Sequence, residues 1–489
     1  MQAPTDVSYA VDAHPKANVP KTDTVNAIDA SLRLPILLLA GSGVCWLVLS
    51  GFFSAITAWQ AIDGRFLSRW EWLTYGRLNA AGETAFLYGW GTNTAYALGL
   101  WIMTRLCQRP LPGGRLLALP VIFWNAAIFF GLGGILLGHL TSVPSLQLPS
   151  FTTPLAALAS LLIASWGIFI FCFRKTHLTY VAQWYLLAAL FCFPWLFTIA
   201  QGMLFWVPNR GTVQTLTNLW FSHNLYGLFL MPAALATAFY LLPKILRKPL
   251  PHYHLSVLAF WTWMVFASWS GPRQLVGGAT PVWLATTGIA ATVLALLPVS
   301  IITLNYQNIV KQALSTAWRS LPLRFAILGL VFFSSVSLIN AITALREMSA
   351  WLHATYFTEG ERIQALYGAF SMPMFGGLYF MIPYLRQRPW PRPRLLKVHF
   401  WVYTIGLTLL LVSLYTGGWI QGTELHATEN GKPVYTFSTV LNHIQPWLNL
   451  HRWAWILIAT GHIVFALHFM WLLFSHSAKN HPSETCQKA

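Results

Sequence analysis

The sequence predicts an all-α membrane protein, a bundle of about twelve transmembrane helices. Three observations carry this: repeated apolar runs of spanning length, a scarcity of charge, and an abundance of tryptophan. The chain has 489 residues, of which 56% are hydrophobic and only 9% charged. Soluble domains carry about a quarter charged residues, so a water-soluble globule of this length is excluded. The 25 tryptophans suit side chains anchored at two membrane interfaces.

A spanning helix needs about 20 mostly apolar residues. Runs that qualify cover 34–58, 80–104, 117–138, 152–173, 180–205, 217–243, 255–272, 280–303, 323–345, 363–385, 398–420 and 450–474. The seventh is the shortest. Before the first run, residues 1–30 read as a polar cytoplasmic tail without an apolar signal core. Residues 31–475 form the membrane domain, and 476–489 a second cytoplasmic tail. The two longest non-apolar stretches, Gln60–Asn79 and Gln421–Gln445, fall on the outer side, where a partner subunit could cover them.

The formal net charge of +17 would suggest nucleic acid in a soluble protein. Here the basic residues sit in short loops and set topology. Roughly two thirds of Lys and Arg lie on the side of the two termini, which places both termini in the cytoplasm. The densest group is RQRPWPRPRLLK, Arg386 to Lys397, whose prolines also block helix continuation. The expected surroundings are the lipid bilayer of a bacterial inner membrane, with no nucleic acid.

The five cysteines, Cys45, Cys107, Cys172, Cys192 and Cys486, contain no CxxC or CxxCH spacing. Neither a zinc site nor a covalent c-type haem is supported. No histidine pair stands at i, i+4 as zinc would need.

Six segments resemble subunit I of the haem-copper oxidases, closest to the cbb-type branch. They are WLTYGRL (Trp72–Leu78), WFSHNLYGLFL (Trp220–Leu230), YLLPK (Tyr240–Lys244), WSGPRQLVGGATPVW (Trp269–Trp283), FGGLYFMIP (Phe375–Pro383) and HFWVYTIGLTLLLVSLYTGGWIQG (His399–Gly422). They occur in the family's order across nearly the whole chain. The resemblance implies a twelve-helix bundle of the cytochrome c oxidase subunit I type with both termini cytoplasmic.

It also implies a haem b and copper chemistry held by six histidines, with a tyrosine near the copper. Carried over singly, the first low-spin haem position is Gly82. The first copper position is His223, which is retained. The paired copper positions are Arg273 and Gln274, and the tyrosine position is Ala267. The last two haem positions are Glu361 and Ile363. Gly, Ile and Arg cannot ligate; arginine stays protonated and repels a cation. No catalytic residue is therefore assigned, and the expected cofactor content is none unless the chain is an active oxidase after all.

Charges stand where ligands are expected: Glu83 beside Gly82, then Arg273, Glu361 and Arg362. Charges inside a bundle are costly and normally pair. Either Arg273 pairs with Glu361, or Arg362 with Glu83, across the vacated space; or all four are solvated at the outer boundary. His223 alone reads as a hydrogen-bonded core histidine. His353 lies just ahead of the tenth run, and His399 at the start of the eleventh. His252 and His254 flank a cytoplasmic loop, while His139, His426, His443 and His451 lie at outer ends or loops. His462, His468 and His476 lie on the last helix, the first two spaced to leave it on different faces.

Three functions stay open. One is a pseudoenzyme: a non-catalytic structural or partner-docking subunit of a membrane complex, joined by other membrane subunits such as a c-type cytochrome. The second is an active respiratory-chain terminal oxidase or nitric-oxide reductase. The third is a proton or ion carrier that reuses the family cavity, with Glu83, Glu347 or Glu361 titrating.

Overall fold

The computed structural model describes residues 22–475, apart from Ser68 and His177. His476, Cys486 and the terminal stretches 1–21 and 476–489 lie outside the described residues.

The described chain is a helical bundle. Helix α1 is Thr22–Gln60. Helix α2 covers 75–107 in three segments: Tyr75–Thr84, a π-helical stretch Ala85–Gly91, and Thr92–Cys107. Then come α3 Ala118–Leu136, α4 Thr153–Cys172, α5 Val181–Trp206 and α6 Thr212–Leu246. Helix α7 is Tyr253–Trp269 and α8 Val282–Lys311. The last four are α9 Leu321–Thr343, α10 Tyr356–Arg386, α11 Pro393–Leu425 and α12 Phe437–Phe474.

Among the described residues, 10 helices are long and apolar enough to cross a membrane. The other two expected runs fall on α2, which is outside that set, and on α7, which is only 17 residues long. Helix α7 stops at Trp269 because Ser270-Gly271-Pro272 follows it, and a tight 3-10 turn, Gly271–Leu275, replaces the helix there.

Helix ends differ from the expected runs. Helix α1 starts within the stretch read as a polar tail, and Ile28 and Asp29 are already buried. Asp29 accepts from Arg105 at the end of α2 and from Trp101 Nε1 at 3.1 Å, so this charge is anchored to the bundle. Helices α11 and α12 extend into the stretch 421–445. Thr436 caps α12 by accepting from Thr439 N at 3.3 Å, and only a short connection remains. It holds a small hairpin pairing Thr428–Glu429 with Lys432–Pro433. Its turn is Asn430-Gly431, both at positive φ, as a two-residue hairpin requires.

The described end of α12 meets the loop between α10 and α11. Arg386 donates to Leu473 O at 2.8 Å, and Arg388 donates to Ser475 O, so the Arg386–Lys397 loop holds the end of α12. Glu83, Arg273, Glu361 and Arg362 lie toward the opposite face, called here the distal face.

The outer surfaces of the helices are apolar and exposed, with Phe129, Phe130, Leu158 and Trp261 pointing outward. A soluble protein would bury such residues; a bilayer accepts them. Polar side chains turn inward: Asn93, Thr94, Gln183, Gln201 and His399 are buried.

Candidate functional site: paired charges at the distal end of the bundle

Glu361 and Arg362 are adjacent on the first two turns of α10. Thr355 caps this helix by accepting from Phe357 N at 3.2 Å. The cap is pressed against α11, where a Cβ on Gly418 would lie 2.0 Å from Phe357 N. Neighbouring helical residues point about 100° apart, so the two side chains diverge into separate sites.

Glu361 turns toward α9 and the 3-10 turn after α7. Arg273 Nη2 lies 3.2 Å from Glu361 Oε2, with the two side chains 11% and 6% exposed. Arg273 Nη1 donates to Asn340 O at 2.7 Å, and Nη2 donates to Asn340 Oδ1 at 3.2 Å. Thr343 Oγ1 donates to Glu361 Oε1 at 2.5 Å. Every charge in this pair therefore has a neutral partner as well, as a buried ion pair requires. The turn carrying Arg273 is fixed from behind by α8, where a Cβ on Gly288 would approach Arg273 N to 2.3 Å.

Arg362 turns toward α2. It grips Glu359 bidentately, Nε to Oε2 at 2.8 Å and Nη2 to Oε1 at 2.6 Å. Its Nη1 reaches Glu83 Oε1 at 3.3 Å. Glu83 also accepts from Ser145 Oγ at 3.3 Å and Gln147 Nε2 at 2.9 Å, both in the α3–α4 connection. Arg362 is 34% exposed at its side chain, so this group meets water, whereas Arg273 and Glu361 do not.

Both pairings weighed from the sequence are present together, and Arg273 with Glu361 is not solvated. The sequence reading missed Glu359, although a carboxylate three residues before an arginine on a helix is a legible signal. It also missed Asn340, Thr343, Ser145 and Gln147; neutral residues in distant segments carry no such signal. Glu347, weighed as a titrating carboxylate, is exposed in the short helix Arg346–Leu352 and lies outside both groups.

The remaining positions are equally definite. Gly82 is buried against α1, and a Cβ there would meet Phe53 Cβ at 3.3 Å. Ile363 is buried. Gln274 is exposed at the 3-10 turn rather than turned inward, because the turn ends the helical phase that would carry it in. His223 Nε2 lies 2.5 Å from Ser270 Oγ. Ser270 Oγ also lies 3.0 Å from Ala267 O, so His223, Ser270 and Ala267 form one hydrogen-bonded group. His353 borders a small cavity of about 20 Å³ with Arg273, Gln274 and Glu361.

A larger cavity of about 230 Å³ lies on the other side of α10. Gly82, Glu83, Arg362 and Ile363 line it, with Tyr367 and His451. Phe86 and Tyr367 stack beneath, with centroids 4.1 Å apart, and fill the space between α2 and α10.

Wide π-helical turns follow the site residues on three helices: Ala85–Gly91 after Glu83, Leu225–Leu230 after His223, and Gln364–Phe370 after Arg362. Thr92 and Ser371 return their hydroxyls to Leu87 O and Leu366 O, at 3.0 and 2.9 Å, five residues back. Trp90 Nε1 donates to Ser371 Oγ at 3.0 Å and ties α2 to α10. Such turns insert a residue and re-aim the side chains that precede them.

His462 and His468 were expected on different faces of α12. They leave the helix about 120° apart, yet both are buried because α1 and α11 pack along that helix and α10 rings such as Tyr367 and Phe375 cover it. Among the described residues, no three His, Cys, Asp or Glu side chains converge as ligands for a metal ion.

Comparison with known proteins accounts for this architecture. Residues 35–464 match the family of cytochrome c and quinol oxidase polypeptide I. The cbb3-type cytochrome c oxidase subunit CcoN1 of Stutzerimonas stutzeri is 25% identical over 421 residues, 83% of this chain and 86% of that protein. The bacteroid cytochrome c oxidase subunit 1 homolog of Bradyrhizobium diazoefficiens is 24% identical over 452 residues, covering 88% and 79%. A haem-copper terminal oxidase dimer solved by cryo-EM has the same fold, with a TM-score of 0.69 at 14% identity over 95% of this chain and 89% of that one. The chain is therefore a divergent integral-membrane member of the cytochrome c and quinol oxidase polypeptide I family.

Proposed function

We infer that this chain is a non-catalytic member of its family, a structural or partner-docking subunit of a membrane complex. The observation that supports this best is the ion pair between Arg273 and Glu361, at 3.2 Å. By the resemblance, these two positions belong to a copper ligand and a haem ligand. A guanidinium cannot coordinate a cation, and here it is spent on a carboxylate.

The residues present do not fit haem and copper held in the family manner. Gly82 has no donor, and its Cβ direction runs into Phe53. Ile363 is aliphatic. His223 has its Nε2 engaged with Ser270. The cavity beside Gly82, about 230 Å³, is smaller than the roughly 300 Å³ at which small-molecule pockets begin. Without axial ligands, haem iron is neither held nor redox-tuned.

Its place would be a bacterial inner membrane, with both termini cytoplasmic, as the loop charges imply. Other membrane subunits, a c-type cytochrome subunit among them, are the partners such a shell suits. The test is the visible spectrum of the purified protein, dithionite-reduced minus oxidised, with copper measured on the same sample. A colourless, copper-free protein supports the reading. A haem b band with stoichiometric copper overturns it in favour of a working terminal oxidase.

A further inference from the structure

Where α12 ends against the α10–α11 loop, the bundle carries a group of arginines with no acid among them. Arg33 lies one turn beyond Asp29 on α1, Arg386 ends α10, and Arg388 and Arg392 follow in the loop. Arg386 Nη2 donates to Leu473 O at 2.8 Å, and Arg388 Nη1 donates to Ser475 O. The Arg392 guanidinium lies 4.6 Å from the centre of the Trp471 ring. Arg33 and Arg388 are the charges that bear on Arg386, and both share its sign. Among the described residues, none of these four arginines has a carboxylate within 4 Å. By contrast, Arg105, Arg273 and Arg362 each hold one.

Two guanidinium nitrogens of the group, Arg33 Nε and Arg386 Nε, are shielded from water and have no hydrogen-bond partner. A buried donor left unmet is costly, more so on a charged group. Like charges held together also repel. An anion with several oxygens relieves both, and a phosphate suits the planar fork of a guanidinium.

The surface beside the group is apolar and open. Leu467, Met470, Trp471 and Phe474 of α12 are all exposed. Their spacing of three or four residues puts them on one stripe of the helix. It starts at the carbonyls that Arg386 and Arg388 hold and runs back along α12. Leu34, next to Arg33 on α1, is exposed as well.

We propose that this arginine group binds the phosphodiester headgroup of an anionic phospholipid, whose acyl chains lie along the α12 stripe. The phosphate oxygens take the unmet N–H groups of Arg33 and Arg386, and Arg388 and Arg392 add charge around them. A free phosphate offers the same oxygens but leaves the stripe uncovered, so the stripe favours the lipid. Bound there, the headgroup joins α1, α10 and α12 at a point where no side-chain ion pair does so. This inference goes beyond the docking role and does not depend on whether haem is bound.

The test titrates the full chain, delipidated in detergent, with phosphatidylglycerol or phosphatidylcholine of identical acyl chains. Native mass spectrometry counts the bound lipid. Phosphatidylglycerol should bind at least about tenfold more tightly, because each nearby cation favours an anionic lipid. Arg386→Gln and Arg392→Gln should each weaken its binding by about fivefold. Lys175→Gln should not. Lys175 is exposed on the same face, its N–H bonded to Cys107 O at the end of α2, and so reports diffuse surface charge. Arg392 is itself exposed, so its variant remains informative if Arg386→Gln fails to fold. Equal affinity for the two lipids overturns the proposal, and so does an equal loss in Lys175→Gln. Displacement of the lipid by inorganic phosphate also overturns it, by assigning the group to a free anion.

Discussion

Arg273 and Glu361 lie 88 residues apart in the chain and 3.2 Å apart in the bundle, almost wholly shielded from water. Asn340 and Thr343 of α9 complete their hydrogen bonding. Removing one charge strands the other in a low-dielectric interior. Arg273→Gln or Glu361→Gln should each lower stability by about 3–5 kcal/mol. The double change Arg273→Met with Glu361→Met should recover much of that loss. Unfolding of the four forms in detergent gives the coupling directly. Simple additivity of the single effects would contradict a working pair.

The second charged group should behave differently. Glu359 and Arg362 are 38% and 34% exposed at their side chains, so solvent screens them. Glu359→Gln should change stability by no more than about 1 kcal/mol. The effect should shrink further as salt is raised. A loss as large as that of Glu361→Gln would mean that the group is buried.

Gly288 is where α8 touches the turn that carries Arg273. A methyl group there would sit 2.3 Å from Arg273 N, against backbone that cannot rotate away. Gly288→Ala should therefore cost about 1–3 kcal/mol by overpacking and weaken the measured Arg273–Glu361 coupling. Gly133→Ala makes the same change on α3, with nothing within 4 Å of the added Cβ. It should be neutral or slightly stabilising, since alanine is the better helix former. Equal effects in thermal unfolding would show that the close approach is absent.

His223 and Ser270 share a hydrogen bond across the junction of α6 and α7. As a structural hydrogen bond, it should be worth about 1 kcal/mol, the loss expected for Ser270→Ala. Dialysis against a chelator should leave the Tm of the wild type unchanged. A fall in Tm that copper reverses would assign His223 to a metal instead.

Membrane class, near-complete helicity and the position of most spans follow from the sequence alone. Run length, charge scarcity and loop basicity are one-dimensional properties, and the bilayer reads them as such. The resemblance also led to Glu83, Arg273, Glu361 and Arg362, which pair in the bundle. Tertiary structure decided the partners. Arg362 reaches Glu83 over 279 residues, and Thr343, Asn340 and Gln147 join as neutral residues that no local pattern marks. It also decided where helices end: Asp29 is pinned by Arg105, and the stretch 421–445 is consumed largely by α11 and α12. It also buried His399, His462 and His468 beside the rings of Tyr379 and Tyr403. Spacing along α12 separated two of these rings. Packing of α1, α10 and α11 around that helix buries both, because burial depends on every neighbour and not on one helix's own phase.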